Sequence, residues 1–198
     1  AGSGRVSHHF RNRYKIVAND RQSYTKVILE AYLQNTKNLR YFQYIIDGLN
    51  AMPDSYWSST DGWYANTYGA PENNGCSIGS DGNPKPWVDY NARKIDCIRH
   101  QIDKLYPTDH VEKSVLLLSL MLGVSRISNW MGHQTGYFKD WKKGKLRKLH
   151  LEMPPIEDSH KFNHVVHCKD MYDIIDKVET DITYIDPPYG TNNKKVSR

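Results

Sequence analysis

Two segments in the middle of the chain carry the clearest helical patterns of apolar residues. From Asn91 to Leu105, apolar side chains recur at three- and four-residue spacing between charged ones, which predicts an amphipathic helix ended by Pro107. Asp109 and Glu112 then form a capping-box pattern, and the apolar run behind them predicts a buried helix over residues 110–129. We expect the second helix to lie in the hydrophobic core.

Short β-branched and aromatic segments nearer the two ends predict strands, and an acidic residue follows each of them. The strands cover residues 14–18, 165–167 and 181–185, and the acids that follow are Asp20, Asp170 and Asp186. A helical pattern comes after the first strand. Open α/β sheets bind ligands beyond the carboxyl ends of their strands. The pattern therefore predicts an α/β fold with Asp20 and Asp186 in ligand-binding positions.

The remaining segments have weaker patterns. Helices are predicted over residues 5–13, around 27–32, over 39–49 and around 134–147. Between Pro53 and Trp87 the chain is crowded with Gly, Asn, Ser, Pro, Tyr and Trp and shows no period, which predicts a long loop or a region of short turns. Loops of that length are usually functional or disordered, and the aromatic content argues against disorder.

The composition is that of a globular protein with a sizeable core. Of the 198 residues, 38% are hydrophobic and 25% are charged, which excludes the disordered and collagen-like classes. The longest apolar run, Val115 to Val124, is about half as long as a bilayer span requires, and no signal-peptide pattern opens the chain. We expect a soluble cytoplasmic protein that has no membrane partner.

Charge, cysteine and histidine content narrow the possible partners. The formal net charge of +5 favours anionic partners, of which phosphate backbones are the commonest. The three cysteines are scattered and form no CxxC pair, so neither a disulfide framework nor a zinc ribbon is predicted. His160, His164 and His167 with Cys168 do not match known zinc-ligand spacings, and we predict no metal site.

The most informative motif is Asp186-Pro187-Pro188-Tyr189, which directly follows the last predicted strand. Its prolines remove two backbone donors, so the turn presents carbonyl acceptors beside a carboxylate, and an amino group is the natural guest. The Asp186 carboxylate and the Pro187 carbonyl could hold an adenine amine with its lone pair toward a methyl donor. Tyr189 could stack on a base flipped out of the duplex. A plain proline turn is the alternative interpretation.

Several segments together resemble the adenine-specific DNA methyltransferases of the alpha-ordered amino-methyltransferase group, which carry a DPPY motif and occur in restriction-modification systems. The family's glycine-rich cofactor motif FxGxG, without its leading Phe, is matched by Ala1, Gly2, Ser3 and Gly4. A cloning remnant is the alternative explanation for these four residues.

The resemblance also assigns roles to the acids after the strands. Asn19 and Asp20 lie where the family places the acid that binds the cofactor's ribose hydroxyls, and a helix cap is the alternative for Asp20. Asp170 resembles the acid that contacts the cofactor's adenine amine, with an ordinary loop carboxylate as the alternative. Asp186 is expected both to contact the cofactor and, with the rest of its motif, to catalyse the transfer.

The resemblance implies a Rossmann-like, S-adenosylmethionine-dependent methyltransferase sheet, incomplete here, with a mainly helical insertion. Residues 1–50 and 157–198 would form the catalytic domain, and residues 51–156 the insertion that recognises the target. The 53–87 segment has no counterpart that we can match. The implied reaction is methyl transfer from S-adenosylmethionine to N6 of adenine in double-stranded DNA, in the bacterial cytoplasm and at the nucleoid, with a cognate restriction endonuclease as a further partner.

Other interpretations stay open at this stage. A basic run could bind phosphates through Lys142, Lys143, Lys145 and Arg147, or it could be a solvated helix end. N4-cytosine methylation uses similar chemistry, and a non-catalytic DNA-binding specificity fragment is a further alternative. The family's segments before the glycine motif and after the catalytic motif are missing, so we expect these 198 residues alone to bind the cofactor weakly and not to turn over.

Overall fold

A computed structural model describes residues 2–72, 75–131, 136 and 138–186. Its helices are α1 (Arg5–Phe10), α2 (Ser23–Leu33), α3 (Leu39–Asn50), α4 (Trp63–Tyr68), α5 (Asp89–Leu105) and α6 (Val111–Ile127). Its strands are β1 (Val17–Asn19), β2 (Gly69–Ala70), β3 (Trp87–Val88) and β4 (Val165–His167). Short 3-10 turns cover residues 54–56, 143–145, 171–173 and 175–177. The architecture is a helical core beside two small parallel sheets.

The largest hydrophobic core lies where α3, α5 and α6 pack together with α2. Ile95 and Ile98 of α5 and Leu116 of α6 are fully buried, as the apolar spacing predicted. Phe42 and Ile46 of α3 belong to the same core. The core therefore contains residues from both sides of the predicted boundary at residue 50, and the domain boundaries themselves stay a prediction.

Two parallel strand pairs are the only sheets in the described part of the chain. Val17 pairs with Val165 and Asn19 with His167, so β1 and β4 end together at one edge. Ala18 packs on Leu29 and Leu33 of α2. The second pair joins β2 to β3. The predicted strand-then-helix order and the parallel arrangement are present, but a complete Rossmann sheet is not shown.

Three predicted elements differ from the structure. The strand over 181–185 is wrong: within the described residues this segment has no regular secondary structure and pairs with no strand, and Ile182, Tyr184 and Ile185 are exposed. A strand needs neighbours for its backbone groups, and local β-propensity cannot supply them. The helix over 134–147 is also wrong over its described part, which has one short 3-10 turn at 143–145. The supposed 53–87 loop contains α4 and β2 and leads into β3.

None of the helices within the described ranges is both long and apolar enough to cross a membrane.

Candidate active site

The glycine turn at the start of the chain adopts a backbone conformation that few other residues tolerate. Gly2 and Gly4 have φ values of 52° and 69°. Gly4 is buried, and a Cβ there would lie 3.1 Å from Ile28 Cγ2 and 3.3 Å from a ring carbon of Tyr32. The Gly4 carbonyl accepts a hydrogen bond of 2.8 Å from the His8 amide and so begins α1. Ala1 lies outside the described residues.

Asp20 follows β1 and joins this turn to the sheet. Its Oδ2 accepts a 3.1 Å hydrogen bond from the Gly2 amide, and its Oδ1 accepts one of 2.9 Å from the Gln22 amide. Partial burial raises the pKa of Asp20, but the hydrogen bonds that it accepts outweigh burial and leave the pKa below its usual value. Asp20 is therefore an ionised acceptor at neutral pH, and a carboxylate has about four acceptor positions.

Asn19 ties the loop after β1 to the loop after β4. Its Nδ2 donates to the Lys169 carbonyl and its Oδ1 accepts from the Lys169 amide, both at 3.1 Å. The Asp20 amide adds a bond of 3.3 Å to the His167 carbonyl. Because both ends of the Asn19 amide bind backbone, the structure gives Asn19 a positioning role, and direct contact with a cofactor stays a prediction.

Asp170 lies at the same edge, directly after Lys169, the residue that Asn19 binds. Its Oδ1 accepts a 3.2 Å hydrogen bond from the Tyr172 amide and caps the turn at 171–173. Its Oδ2 lies 3.6 Å from Nη1 of the largely exposed Arg21. The structure thus brings the glycine turn, Asn19, Asp20 and Asp170 to one edge of the β1–β4 pair.

The catalytic motif is only partly described. Asp186 is exposed and follows the irregular segment 181–185. Pro187, Pro188 and Tyr189 lie outside the described residues. Their expected roles therefore stay predictions.

The stretch directly before the predicted DNA-contacting run, residues 138–141, is held against the 75–86 segment by hydrogen bonds. The Trp141 amide donates to the Gly75 carbonyl at 2.7 Å, and the Ser77 amide donates to the Lys139 carbonyl at 2.8 Å. The Ser77 hydroxyl donates to the Phe138 carbonyl at 2.6 Å. These two stretches of chain therefore form one surface unit.

The cations of this run have different surroundings. Lys142, Lys143 and Arg147 are exposed, and Lys142 Nζ lies 4.5 Å from the centre of the Phe138 ring. Lys145 is half-buried, and its Nζ donates to the Arg126 carbonyl at 2.9 Å near the end of α6. Three of the four predicted contact residues are therefore exposed, whereas Lys145 also stabilises a helix end, and contact of all four with DNA stays a prediction.

Asparagine side chains that the sequence did not single out hold the segment between α6 and β4. Asn91 Nδ2 donates to the Arg147 carbonyl at 2.9 Å, and its Oδ1 accepts from the Leu149 amide at 2.8 Å. Asn50 pairs with both backbone groups of Leu151, at 2.9 and 2.8 Å. Asn50 is the last residue of α3 and Asn91 lies in the first turn of α5, where asparagine is not unusual, so the sequence offered no signal for either role.

The histidines near β4, His160 and His164, pack against each other, and His164 is hydrogen-bonded to the backbone. His164 Nδ1 accepts a 3.0 Å hydrogen bond from the Ile16 amide, and the His164 ring lies 5.5 Å from that of His160. Burial lowers the pKa of both groups. Across the described ranges, no group of three or more His, Cys, Asp or Glu side chains is arranged to hold a metal ion.

A glycine turn and two acids thus lie at the carboxyl edge of parallel strands, the position where open α/β sheets bind their ligands. The family model described as D12 class N6 adenine-specific DNA methyltransferase matches residues 1–197, and the chain belongs to this family. The family indicates an S-adenosylmethionine-dependent α/β fold, in agreement with the mixed architecture described above.

Curated relatives are similar over nearly the whole chain but are longer. The chain is 28% identical to Modification methylase LlaI from Lactococcus lactis subsp. lactis, over 96% of the chain and 30% of the relative. It is 27% identical to Type II methyltransferase M.NlaIII from Neisseria lactamica, over 96% and 54%, and 28% identical to Type II methyltransferase M.FokI from Planomicrobium okeanokoites, over 96% and 29%. The chain thus spans about a third to a half of these relatives. No solved structure matches it.

Proposed function

We propose that this chain contains the cofactor site and the catalytic motif of a modification methylase that transfers a methyl group from S-adenosylmethionine to N6 of adenine in double-stranded DNA. The observation that carries the proposal is the joining of Gly2, Asp20 and Asp170 at one sheet edge, in a chain of the N6 adenine-specific family. The names of the relatives support a place in a restriction-modification system, with a cognate endonuclease as partner.

The residues at this edge fit the proposed cofactor. Asp20 is an ionised acceptor suited to the two ribose hydroxyls, which are donors. Asp170 is partly exposed and could accept from the amine of the cofactor's adenine. The tight glycine turn lets backbone approach the ligand closely. When bound, S-adenosylmethionine supplies the electrophilic methyl group.

The target amine would be held by Asp186 and the Pro187 carbonyl. These two acceptors would bind its hydrogens and orient its lone pair for in-line displacement. Tyr189 would stack on the extruded base and recover about 1–3 kcal/mol of the cost of flipping. The family description favours adenine over N4-cytosine. It also favours an enzyme over a non-catalytic specificity fragment.

Binding of duplex DNA would use the exposed cations Lys142, Lys143 and Arg147, with Lys145 beside them. The net charge of +5 adds a long-range attraction to phosphates that weakens with salt. Action on DNA in the bacterial cytoplasm, at the nucleoid, follows from this proposal.

Substitutions at two acids, Asp20 and Asp186, should distinguish cofactor binding from catalysis in the full-length enzyme. We expect Asp186→Ala to abolish formation of N6-methyladenine while the Kd for S-adenosylmethionine changes less. We expect Asp20→Ala to raise that Kd about tenfold or more, because a hydrogen bond to a charged group is worth about 1.5–3 kcal/mol. Calorimetry gives the Kd, and nucleoside mass spectrometry gives the product.

Asp158→Ala, at an exposed acid outside this edge, is the matched control and should change neither quantity. Normal turnover by Asp186→Ala would overturn the assignment of the catalytic motif. An unchanged Kd in Asp20→Ala would leave Asp20 with a capping role only.

A further inference from the structure

The segment from Ser77 to Lys85 folds as a tight hairpin. It lies within residues 53–87, for which the resemblance to the methyltransferase family gave no counterpart. Ile78 and Pro84 form an antiparallel bridge, and the Lys85 amide donates to the Ser77 carbonyl at 2.8 Å. The turn is closed by a 2.9 Å hydrogen bond from the Gly79 amide to the Asn83 carbonyl. The residues of its tip, 80–83, are all exposed.

An internal ion pair fixes the shape of this tip. Asp81 accepts from Lys85 Nζ at 2.7 Å and from the amide and side chain of Asn83 at 3.1 Å each. Lys85 is 9% exposed and also donates to the Thr67 carbonyl at 2.8 Å. The hydrogen bond from Lys85, followed by those from Asn83, lowers the pKa of Asp81 to about 2. The only charge of the tip is therefore paired from within the hairpin.

The base of the hairpin is hydrogen-bonded to residues 138–140, directly before the basic run that begins at Lys142. Ser77 binds the backbone of Phe138 and Lys139, and Cys76 forms an antiparallel bridge with Asp140. Lys139, Lys142 and Lys143 are exposed on the attached stretch. A polar hairpin whose single acid, Asp81, is paired with its single lysine, Lys85, thus lies beside a group of exposed cations.

We propose that the tip, Ser80 to Asn83, reads base edges in a groove of duplex DNA while the neighbouring lysines bind phosphates. This inference rests on the proposed function. Phosphate contacts position a protein on DNA, and hydrogen bonds to base edges specify sequence. The major groove, about 12 Å wide, admits a two-stranded ribbon, and serine hydroxyls and asparagine oxygens can meet base edges there. Because Asn83 Nδ2 donates to Asp81, the amide oxygen of Asn83 is the atom offered to a base. A polar hairpin without net charge, whose exposed tip carries no cation, suits base edges better than phosphates.

The test measures site preference with the full-length enzyme. A library of duplexes with randomised sequence is methylated, and the modified positions are identified by sequencing. In Ser80→Ala/Asn83→Ala we expect discrimination at one or more positions of the site to fall roughly 5- to 150-fold, since each good base contact is worth about 1–3 kcal/mol. In Lys143→Ala we expect weaker binding of all sequences, a shallower salt dependence and an unchanged preference.

A second variant tests whether the hairpin acts through its shape. Lys85→Met removes the ion pair but keeps the tip residues, and it should relax the preference as well, whereas Lys85→Arg should restore it. Ser59→Ala, an exposed serine outside the hairpin, is the matched control. An unchanged preference in Ser80→Ala/Asn83→Ala would overturn the inference about the hairpin. Absence of adenine methylation by the unaltered enzyme would instead overturn the proposed function.

Discussion

Replacing Gly4 by alanine tests whether the glycine turn has a fixed conformation set by packing on α2. The residue has φ 69°, and its Cα faces Ile28 and Tyr32 so closely that a new Cβ would lie 3.1 and 3.3 Å from their side chains. Gly2 offers a matched comparison, because it has φ 52° but nothing lies within 4 Å of the place that a Cβ would occupy. Both alanines would retain their amide groups, including the one that Gly2 donates to Asp20.

Both substitutions place alanine in a left-handed backbone conformation, but only Gly4→Ala also overpacks a buried site. Holding an L-residue in the left-handed region costs about 1–2 kcal/mol, of which about 0.4–1 kcal/mol is offset because alanine restricts the unfolded chain. Gly2→Ala should therefore destabilise by about 1 kcal/mol or less. Gly4→Ala adds the overpacking of a buried site, about 1–3 kcal/mol. We expect about 1–4 kcal/mol in total for Gly4→Ala.

The free energy of unfolding is measured by urea denaturation, and the affinity for S-adenosylmethionine by calorimetry. If the turn moves to relieve the contact with Ile28, part of the roughly 1–4 kcal/mol appears as a lower affinity for S-adenosylmethionine, since about 1.4 kcal/mol corresponds to tenfold. The sum of the two losses should be larger for Gly4→Ala than for Gly2→Ala. Equal losses in both variants would refute the packing argument and leave only the backbone conformation.

Three further predictions concern the supports of the fold. Asn91→Ala should lower the free energy of unfolding by about 2–4 kcal/mol, because two buried backbone groups lose their partner, whereas the exposed Asn66→Ala should change it by about 0.5 kcal/mol or less in urea denaturation. Asp96 accepts from the amides of Tyr64 and Ala65 at 3.0 and 2.9 Å, so Asp96→Ala should cost about 0.5–2 kcal/mol and speed proteolysis near α4. Burial, and then the charges of neighbouring groups, lower the pKa of His164, so the stability that it contributes is present above about pH 6.5 and is lost as the pH falls toward the folded-state value. In thermal melts His164→Gln should show a weaker dependence on pH over this window, and an unchanged dependence would contradict the argument.

The longest helices were predictable because their signals are local. The apolar spacing of α5 and the apolar run of α6 lie within single windows of sequence, and the structure confirms both helices with ends shifted by about two residues. The predicted capping box before α6 is wrong, because α6 begins after His110 without a side-chain cap and Asp109 binds Lys26 instead. The strands β1 and β4 were likewise predicted, since each is a short apolar segment bounded by polar residues. Their parallel pairing followed from the expected α/β order.

The elements that were missed depend on distant partners. α4 is capped by Asp96, which lies 31 and 32 positions beyond the residues that it binds. The segment 181–185 has strand-forming residues, yet in the described part of the chain no neighbour pairs with it. The hairpin at 77–85 contains an Asp-Gly turn signal, but the alternating flanks that normally accompany such a turn are absent.

In the proposed cofactor site, the sequence motifs did not predict how the separate loops are arranged in space. Resemblance located Asp20 and Asp170 separately, by their positions after two strands, and nothing in their spacing showed how the two loops meet. The structure joins them through Asn19, whose side chain binds both backbone groups of Lys169 across 150 positions. An amide can pair with a backbone N–H and a carbonyl at once, as a neighbouring strand would. Asp20 and Asp170 each have an alternative interpretation in the sequence, but Asn19 holds their two loops side by side. Their placement at one edge therefore supports the proposed site more strongly than either motif does.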